Sequence, residues 1–323
     1  MTLTLPASEV LPVIDLARAS PTAIAEGLVE YSCVFITNHG LSAELREAMF
    51  AVSREFLTLD AVDKEPYRWH GQGIWCGWQA VAQGTKDIVG ERPAEPLERF
   101  EMYEPDTFPL WPRRPASLRP IWEEFHAQST TIVSRLMELL IDGLDLPPEF
   151  RDAWTDEQFS SLCANYYHPQ PTPPPVGQLR TEPHTDHGGL TLLSADDAPG
   201  GLEVKLPRIP GWLPVIIPPQ MMLVQAGDLL SRWTNRRVRG NLHRVVNPPP
   251  EQAMTSRVSV VFFHHPNLDT LVEPAPSQVA LSRSPALAPL LAREHCLNRQ
   301  VSYGKVDEER RGELDPLDGR SDI

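Results

Sequence analysis

Residues 184–193 read His-Thr-Asp-His-Gly-Gly-Leu-Thr-Leu-Leu, so a short polar triplet stands directly before a β-prone apolar run. In an extended segment, side chains two positions apart point to the same face of a sheet. His184 and Asp186 can therefore bind one metal ion together, while Thr185 faces away. The mixture of imidazole and carboxylate, without thiolate, argues against a structural zinc site.

A third metal ligand is available from a distant part of the chain. His243 would complete a set of two imidazoles and one carboxylate. On an octahedral ion this set leaves about three positions open, which is the arrangement of non-haem Fe(II) oxygenases. The sequence therefore predicts an iron site made of His184, Asp186 and His243, which are also the candidate catalytic residues.

A candidate carboxylate-binding pair follows His243 along the chain. Arg257 opens the β-prone run Arg-Val-Ser-Val-Val-Phe-Phe, in which alternation places Arg257 and Ser259 on one face. A planar guanidinium beside a hydroxyl can bind both oxygens of a carboxylate. For Arg257 alone, an arginine that balances a structural acid is an equal alternative, but the upstream metal ligands favour the carboxylate site.

These motifs resemble those of the iron- and 2-oxoglutarate-dependent oxygenases of the isopenicillin N synthase-like group. That family carries H-T-D, a distal H-R-V and R-x-S, which read here as His184-Thr185-Asp186, His243-Arg244-Val245 and Arg257-Val258-Ser259. Further matches in the same order, over about residues 10 to 305, are Leu11-Pro12-Val13-Ile14-Asp15-Leu16, Phe35-Ile36-Thr37-Asn38-His39-Gly40, Asn165-Tyr166-Tyr167, Gly200-Gly201-Leu202-Glu203-Val204, Trp212 and Gly227-Asp228.

The resemblance implies a dioxygenase that uses Fe(II), O2 and 2-oxoglutarate to oxidise a C–H bond of a small organic molecule, with hydroxylation as the default outcome. It implies that Arg257 and Ser259 hold the far carboxylate of 2-oxoglutarate. Asn165 and Tyr167 match positions that support this co-substrate in relatives, although Tyr167 is alternatively a packed strand aromatic. Asp186 stands where related halogenases carry a small residue, which argues against halogenation.

Two alternative functions stay open at this point. Isopenicillin N synthase and the plant ethylene-forming oxidases carry R-x-S but do not use 2-oxoglutarate, so the motif alone does not prove the co-substrate. The other alternative is a jelly roll that binds a ligand without catalysis. The complete set of metal ligands argues against that class.

The rest of the chain predicts a mainly β protein with flanking helices. Helical periodicity covers residues 21–32, 41–59 (with Ser42 as the cap) and 118–140, and the last of these should brace a sheet. Short β-prone runs broken by Pro and Gly suggest a jelly roll, which the resemblance specifies as a double-stranded β-helix. These runs are residues 190–193, 202–206, 215–217, 221–225 and 258–263.

We expect one structural unit with three parts. Residues 1–158 form a helical or mixed region that packs on the core, residues 159–304 form the jelly-roll core with a C-terminal helix, and residues 305–323 form a charged tail. A proline-rich insert at 168–179 should be a surface loop. Residues 60–115 show no clear pattern, and the resemblance places them over the mouth of the active site.

Composition limits the partners and the compartment. A net charge of −14 disfavours nucleic acid and anionic membranes as partners. The four cysteines lie far apart, and neither a signal pattern nor a membrane-spanning run is visible. We therefore expect a soluble cytoplasmic enzyme acting on a small natural product of secondary metabolism, whereas the oligomeric state cannot be read from the sequence.

Several other residues are interpreted as structural, as solvent-exposed or as pocket walls. We expect His187 to point to the opposite face from Asp186, and His264 and His265 to be mainly structural. The basic cluster at Arg232, Arg236, Arg237 and Arg239 is interpreted as a solvated face, although it replaces the glycine of a T-N-G common in the family at Arg236. Residues that could form pocket walls are Trp75, Trp78, Trp233 and Phe263.

Overall fold

The computed structural model describes residues 7–68, 76–80, 85–87, 90–92, 95–103, 108, 111–151, 160–282 and 284–302. Its helices are α1 (Ala7–Val10), α2 (Pro21–Tyr31), α3 (Ala43–Leu57), α4 (Ala61–Lys64), α5 (Leu118–Gly143), α6 (Asp228–Trp233), α7 (Pro276–Leu281) and α8 (Ala292–Ser302). No helix in this described part of the chain is both long and apolar enough to span a bilayer.

The strands form two main sheets and two short antiparallel pairs. They are β1 (Val13–Asp15), β2 (Cys33–Thr37), β3 (Gly77–Gln79), β4 (Thr85–Asp87), β5 (Gly90–Arg92), β6 (Leu97–Tyr103), β7 (Ser161–Tyr167), β8 (Thr181–His184), β9 (Leu190–Ala195), β10 (Leu202–Lys205), β11 (Leu213–Pro214), β12 (Met222–Ala226), β13 (Leu242–Val245), β14 (Arg257–His264), β15 (Leu271–Val272) and β16 (Leu290–Leu291). The eight-stranded sheet has the order β1-β2-β12-β9-β14-β7-β6-β3, and the four-stranded sheet has the order β11-β10-β13-β8.

The two sheets form the predicted jelly-roll core, and β14 shows how the sequence builds it. This strand lies between β7 and β9 in the larger sheet. Val258, Val260 and Phe262 belong to the apolar cluster that also contains the α5 side chains. The alternate residues Arg257, Ser259 and Val261 instead line an internal cavity. A β-strand that separates two buried regions must carry apolar residues on one face and can carry functional groups on the other.

Helix α5 covers the outer face of the large sheet, as its apolar spacing predicts. Its buried positions, such as Leu118, Trp122, Phe125 and Ile132, recur at three- and four-residue intervals, and it packs against α2 and α3. Ser42 accepts a hydrogen bond from the Leu45 backbone amide, which confirms the predicted helix cap.

One strand prediction is wrong. Residues 215–217 were expected to form a strand, but the strand in that region is Leu213–Pro214, which faces Glu203 and Val204 of β10. Beyond it, the Val215 amide donates to the Leu202 carbonyl over 2.8 Å without a continuing ladder. The side chains do alternate, since Val215 and Ile217 are buried and Ile216 is 71% exposed. Proline lacks the backbone N–H that a ladder requires, and Pro214, Pro218 and Pro219 surround this short segment.

The division into three parts stays a prediction. Strands from the first half, β1, β2, β3 and β6, lie in the same sheet as strands of the second half. The proline-rich segment at 168–179 contains no helix or strand, as expected for a loop. The charged tail at 305–323 and most of the tryptophan- and glycine-rich segment that includes Trp75 lie outside the described residues.

The aromatic cluster around Phe100 offers a test of how the helices are attached to the sheet. Phe100 of β6 is fully buried and makes edge contacts with Phe56 of α3 and Trp122 of α5, with ring centroids 4.9 and 5.0 Å apart. We expect Phe100→Ala to lower the free energy of unfolding by about 3–5 kcal/mol because it leaves a cavity where three elements meet. Val62→Ala, at a side chain 76% exposed, is the control and should change it by less than about 0.5 kcal/mol. Equal effects in denaturant titrations would contradict this packing.

Candidate active site

The structure brings the three predicted metal ligands together at one end of the smaller sheet. His184 is the last residue of β8 and lies opposite His243 of β13 in the strand register. Asp186 follows two residues later, and its Oδ1 lies 3.7 Å from His184 Nε2 and 3.8 Å from His243 Nε2. One candidate ligand atom from each residue lies within 4.8 Å of the others. A single ion placed among these atoms would be bound on one face.

Backbone carbonyls set the orientation of both imidazole rings. His184 Nδ1 lies 2.8 Å from the Glu182 carbonyl oxygen, and His243 Nδ1 lies 3.0 Å from that of Asn241. A carbonyl oxygen only accepts hydrogen bonds, so we assign the ring proton to Nδ1 in each case. The Nε2 lone pairs then point toward Asp186, which is the tautomer that a metal requires.

A threonine fixes the carboxylate of Asp186. Thr191 Oγ1 donates to Asp186 Oδ2 over 2.6 Å, which leaves Oδ1 facing the two imidazoles. The backbone is held as well, because the Asp228 amide donates to the Asp186 carbonyl over 2.8 Å. A Cβ on Gly227 would lie 2.2 Å from the Gly188 carbonyl oxygen, so only glycine permits this close approach.

Thr185 points away from the metal ligands, as alternation predicts, and connects to helix α8. Arg299 Nη2 donates to Thr185 Oγ1 over 3.2 Å, and Arg299 Nε lies 3.4 Å from Asp228 Oδ2. Burial raises the pKa of Asp228, but the hydrogen bond from His295 and the charge of Arg299 more than offset this, so its pKa lies below the ordinary value. Contacts with helix α8 thus hold the segment that carries His184 and Asp186 on the side away from the cavity.

The candidate ligands open into a cavity between the two sheets. It is lined by Arg99, Cys163, Asn165, Tyr167, Thr181, His184, Asp186, Thr191, Leu193, Leu202, Gln225, His243, Val245, Arg257, Ser259, Val261 and Phe263. Asp186 supplies the one carboxylate among these lining residues of the described chain. A cavity with a cationic wall and a cluster of metal-binding atoms suits a ligand that carries acidic groups.

The four predicted co-substrate residues share one wall of this cavity. Arg257 pairs with Tyr167 and Ser259 pairs with Asn165 in the register of β14 and β7. The Arg257 side chain is 3% exposed, and its Nε and Nη1 have no hydrogen-bond partner among the described residues. Leaving charged donors buried and unsatisfied is unfavourable. The site therefore fits an acid that brings a carboxylate to Arg257.

Tyr167 makes a packing contact and also reaches the cavity wall, so its role beside the co-substrate stays a prediction. Its ring is buried and lies 5.2 Å from the Arg257 guanidinium carbon, which is a packing contact. Its hydroxyl lies 3.4 Å from Thr181 Oγ1 at the cavity wall. Asn165 Oδ1 accepts from the Cys163 thiol over 3.7 Å.

Of the described residues that the sequence marked as structural, as solvent-exposed or as pocket walls, Phe263 alone is among those that line the cavity. Phe263 lines it, but Trp78 and Trp233 belong to the apolar cluster with α5, so their prediction as pocket walls is wrong. His264 hydrogen-bonds Ser160 and His265 contacts Cys296, in agreement with structural roles. Neither His187 nor a member of the Arg232–Arg239 cluster lines the cavity; Arg236, Arg237 and Arg239 are exposed.

Four polar side chains near the site were not predicted from the sequence. These are Arg99 and Gln225 on the cavity wall, Thr191 beside Asp186, and Asn241, whose Oδ1 accepts from Gln225 Nε2 over 2.8 Å. A signal existed for two of them. Thr191 and Gln225 are isolated polar residues inside apolar β-runs, where a side chain without a partner would be unfavourable.

Comparison with known proteins agrees with this geometry. Residues 158–266 match the family model of the 2OG-Fe(II) oxygenase superfamily, and residues 11–119 match the model described as non-haem dioxygenase in morphine synthesis N-terminal. Validamycin A dioxygenase from Streptomyces hygroscopicus subsp. limoneus is 31% identical over 281 residues, which are 78% of this chain and 76% of that protein. Mugineic-acid 3-dioxygenase from Hordeum vulgare is 28% identical over 88% of this chain and 82% of its own.

Solved structures share the fold of this chain. A full-length Neurospora crassa protein in complex with alpha-KG superposes with a TM-score of 0.77 at 23% identity, covering 90% of this chain and 96% of that chain. A 2OG-Fe(II) oxygenase family protein from Caulobacter crescentus superposes with a TM-score of 0.77 at 22% identity, covering 90% of this chain and 98% of its own. The jelly-roll arrangement of the two sheets is therefore common to all three proteins.

The Thr191 hydroxyl provides a test of how the carboxylate is held. We expect Thr191→Val to weaken divalent-metal binding by about 10- to 100-fold, because partners that orient a ligating carboxylate have effects of this size. Anaerobic calorimetry with Fe(II) measures it. Thr131→Val is the matched control, since that hydroxyl lies on exposed α5 and donates to the Ala127 carbonyl. An unchanged metal affinity in Thr191→Val would argue against Asp186 as a ligand.

Proposed function

The chain belongs to the 2OG-Fe(II) oxygenase superfamily, and on that basis we propose that it hydroxylates a C–H bond of a small organic molecule. Its relatives and structural neighbours are Fe(II)- and 2-oxoglutarate-dependent dioxygenases, so the class of enzyme is known. The observation that carries the proposal is one cavity lined both by His184, Asp186 and His243 and by Arg257, whose Nε and Nη1 have no hydrogen-bond partner among the described residues.

The residues that line this cavity have two different proposed roles. His184, Asp186 and His243 would hold Fe(II), and Arg257 with Ser259 would bind the far carboxylate of 2-oxoglutarate, with Asn165 and Tyr167 beside them. When bound, Fe(II) and 2-oxoglutarate supply an oxidation by O2 that converts 2-oxoglutarate to succinate and CO2 and places one oxygen atom on the substrate. The protein's contribution is positioning, because the bond held nearest the metal is the one oxidised.

The remaining walls indicate what kind of primary substrate fits. Leu193, Val261 and Phe263 are apolar, whereas Arg99 and Gln225 are polar. Such a mixed surface suits a small, partly apolar molecule with polar substituents. The relatives named above, validamycin A dioxygenase and mugineic-acid 3-dioxygenase, carry names of small molecules. A role in secondary metabolism in the cytoplasm is part of the proposal.

Asp186 separates hydroxylation from halogenation within the proposal. Its carboxylate is buried and directed toward the two imidazoles, so the position that a halide would need is filled by a ligand. The same site could also desaturate or cyclise a substrate, and the mass of the product distinguishes these outcomes.

The direct test combines co-substrate turnover with product mass. Fe(II)-loaded protein is given 2-oxoglutarate, O2 and a panel of small natural products, and succinate is measured together with product mass. Hydroxylation adds the mass of one oxygen atom, whereas desaturation removes two hydrogens. We expect Asp186→Ala to abolish succinate formation because the metal loses its anionic protein ligand. The control Asp269→Ala, at an exposed position, should retain it.

Two results would contradict the proposal. One is full succinate formation by Asp186→Ala, which would make the ligand assignment wrong. The other is that succinate forms in stoichiometric amounts but no accepted substrate gains an oxygen atom. That result would support 2-oxoglutarate as the co-substrate but would overturn hydroxylation.

A further inference from the structure

A second buried arginine lies beside the proposed co-substrate site and belongs to none of the motifs. Arg180 immediately precedes β8 and is 1% exposed. Its Nη1 and Nη2 have no hydrogen-bond partner among the described residues. A buried guanidinium with unsatisfied donors is strongly unfavourable, and buried arginines are normally paired with an acid.

Arg180 lies at the same end of the jelly roll as Arg257. The ring of Tyr167 is their shared neighbour, with the Arg257 guanidinium carbon 5.2 Å and the Arg180 guanidinium carbon 5.5 Å from its centroid. The next residue after Arg180, Thr181, lines the cavity. Arg257, Tyr167 and Thr181 line the cavity, and Arg180 lies behind that wall, in contact with the Tyr167 ring.

The electrostatics are unfavourable without an anion. Burial, followed by the charge of Arg257, lowers the pKa of Arg180 to about 10, so it still carries its proton at neutral pH. The Tyr167 ring offsets part of the charge through its π face. Across the part of the chain that the structure describes, Nη1 and Nη2 of Arg180 and Nε and Nη1 of Arg257 have no acceptor, a carboxylate included. Two adjacent buried cations of this kind form a site for a negatively charged group.

We propose that Arg180 is a second arginine that binds the distal carboxylate of 2-oxoglutarate, in addition to Arg257 and Ser259. A carboxylate has two oxygens with about four acceptor sites, so one guanidinium leaves capacity for another. The consequence is selectivity: a 2-oxo acid without the second carboxylate would leave both arginines unpaired. This proposal rests on the role proposed above for Arg257.

The test compares two ligands that differ only at the distal end. 2-Oxoglutarate and 2-oxopentanoate have equal chain length, but the latter ends in a methyl group. Binding of each to anaerobic Fe(II)-loaded protein is measured by calorimetry for wild type, Arg180→Met and Arg180→Lys. We expect Arg180→Met to weaken 2-oxoglutarate binding at least about tenfold, the size of a lost charge-assisted hydrogen bond. Binding of 2-oxopentanoate should stay the same or improve, and Arg180→Lys should be intermediate.

Arg46→Met is the matched control. Arg46 is also buried and lies 4.8 Å from the centroid of an aromatic ring, that of Phe50, but the protein satisfies it through the Ala195 carbonyl at 2.6 Å. Its replacement should reduce stability without changing the preference between the two ligands.

Three results would overturn the proposal. Equal weakening of both ligands in Arg180→Met would assign Arg180 a structural role under Tyr167. Unchanged 2-oxoglutarate affinity in both Arg180 variants would mean that a different anion or solvent satisfies it. If Arg257→Met also leaves the preference for 2-oxoglutarate over 2-oxopentanoate unchanged, the proposed carboxylate site at Arg257 is wrong. This variant therefore distinguishes an error in the role of Arg257 from an error in the role of Arg180.

Discussion

The pairing of β8 with β13 is the constraint on which the rest of the structure depends. It sets His184 opposite His243, with ring centroids 4.2 Å apart. A shift of one residue would turn one imidazole out of the cavity. The pairing also contains an irregularity, because two residues of β8 lie where β13 has only Arg244. This bulge changes the alternation, so that Thr181 and His184 both line the cavity despite their odd spacing.

This strand pairing also determines where the charged groups of the cavity lie. One end of the cavity gathers the imidazoles and the carboxylate that suit a divalent ion, and another part of its wall carries the buried cation of Arg257, which suits a carboxylate. A 2-oxo diacid complements both ends at once, since it offers chelating oxygens at one terminus and an anion at the other. In the proposed function the co-substrate would therefore be held through two unlike contacts, and the neighbouring wall with Arg99 and Phe263 would face the primary substrate.

The architecture could be predicted from the sequence, and so could the position of residues that depends on local rules such as strand alternation and helix capping. Alternation placed Thr185 away from Asp186, capping rules located Ser42, and the apolar spacing located α5. Prediction failed where distant segments decide the outcome. Trp78 is an aromatic residue in a loop-rich segment, yet it is buried with Glu98 and Lys64 around it. Arg180 follows a proline-rich stretch, and no local pattern reveals that it lies over Tyr167. The partner of Asp186, Thr191, could have been noticed as a lone hydroxyl in an apolar strand.

The most direct measurement of the central claim is the visible charge-transfer absorption that a 2-oxo acid produces when it chelates Fe(II). 2-Oxoglutarate is titrated into anaerobic protein carrying one iron per chain, in wild type and Arg257→Met. We expect a band in wild type that saturates at one 2-oxoglutarate per chain and requires at least about tenfold more ligand in Arg257→Met. Identical titration curves for the two proteins, or no band although iron is bound, would contradict it.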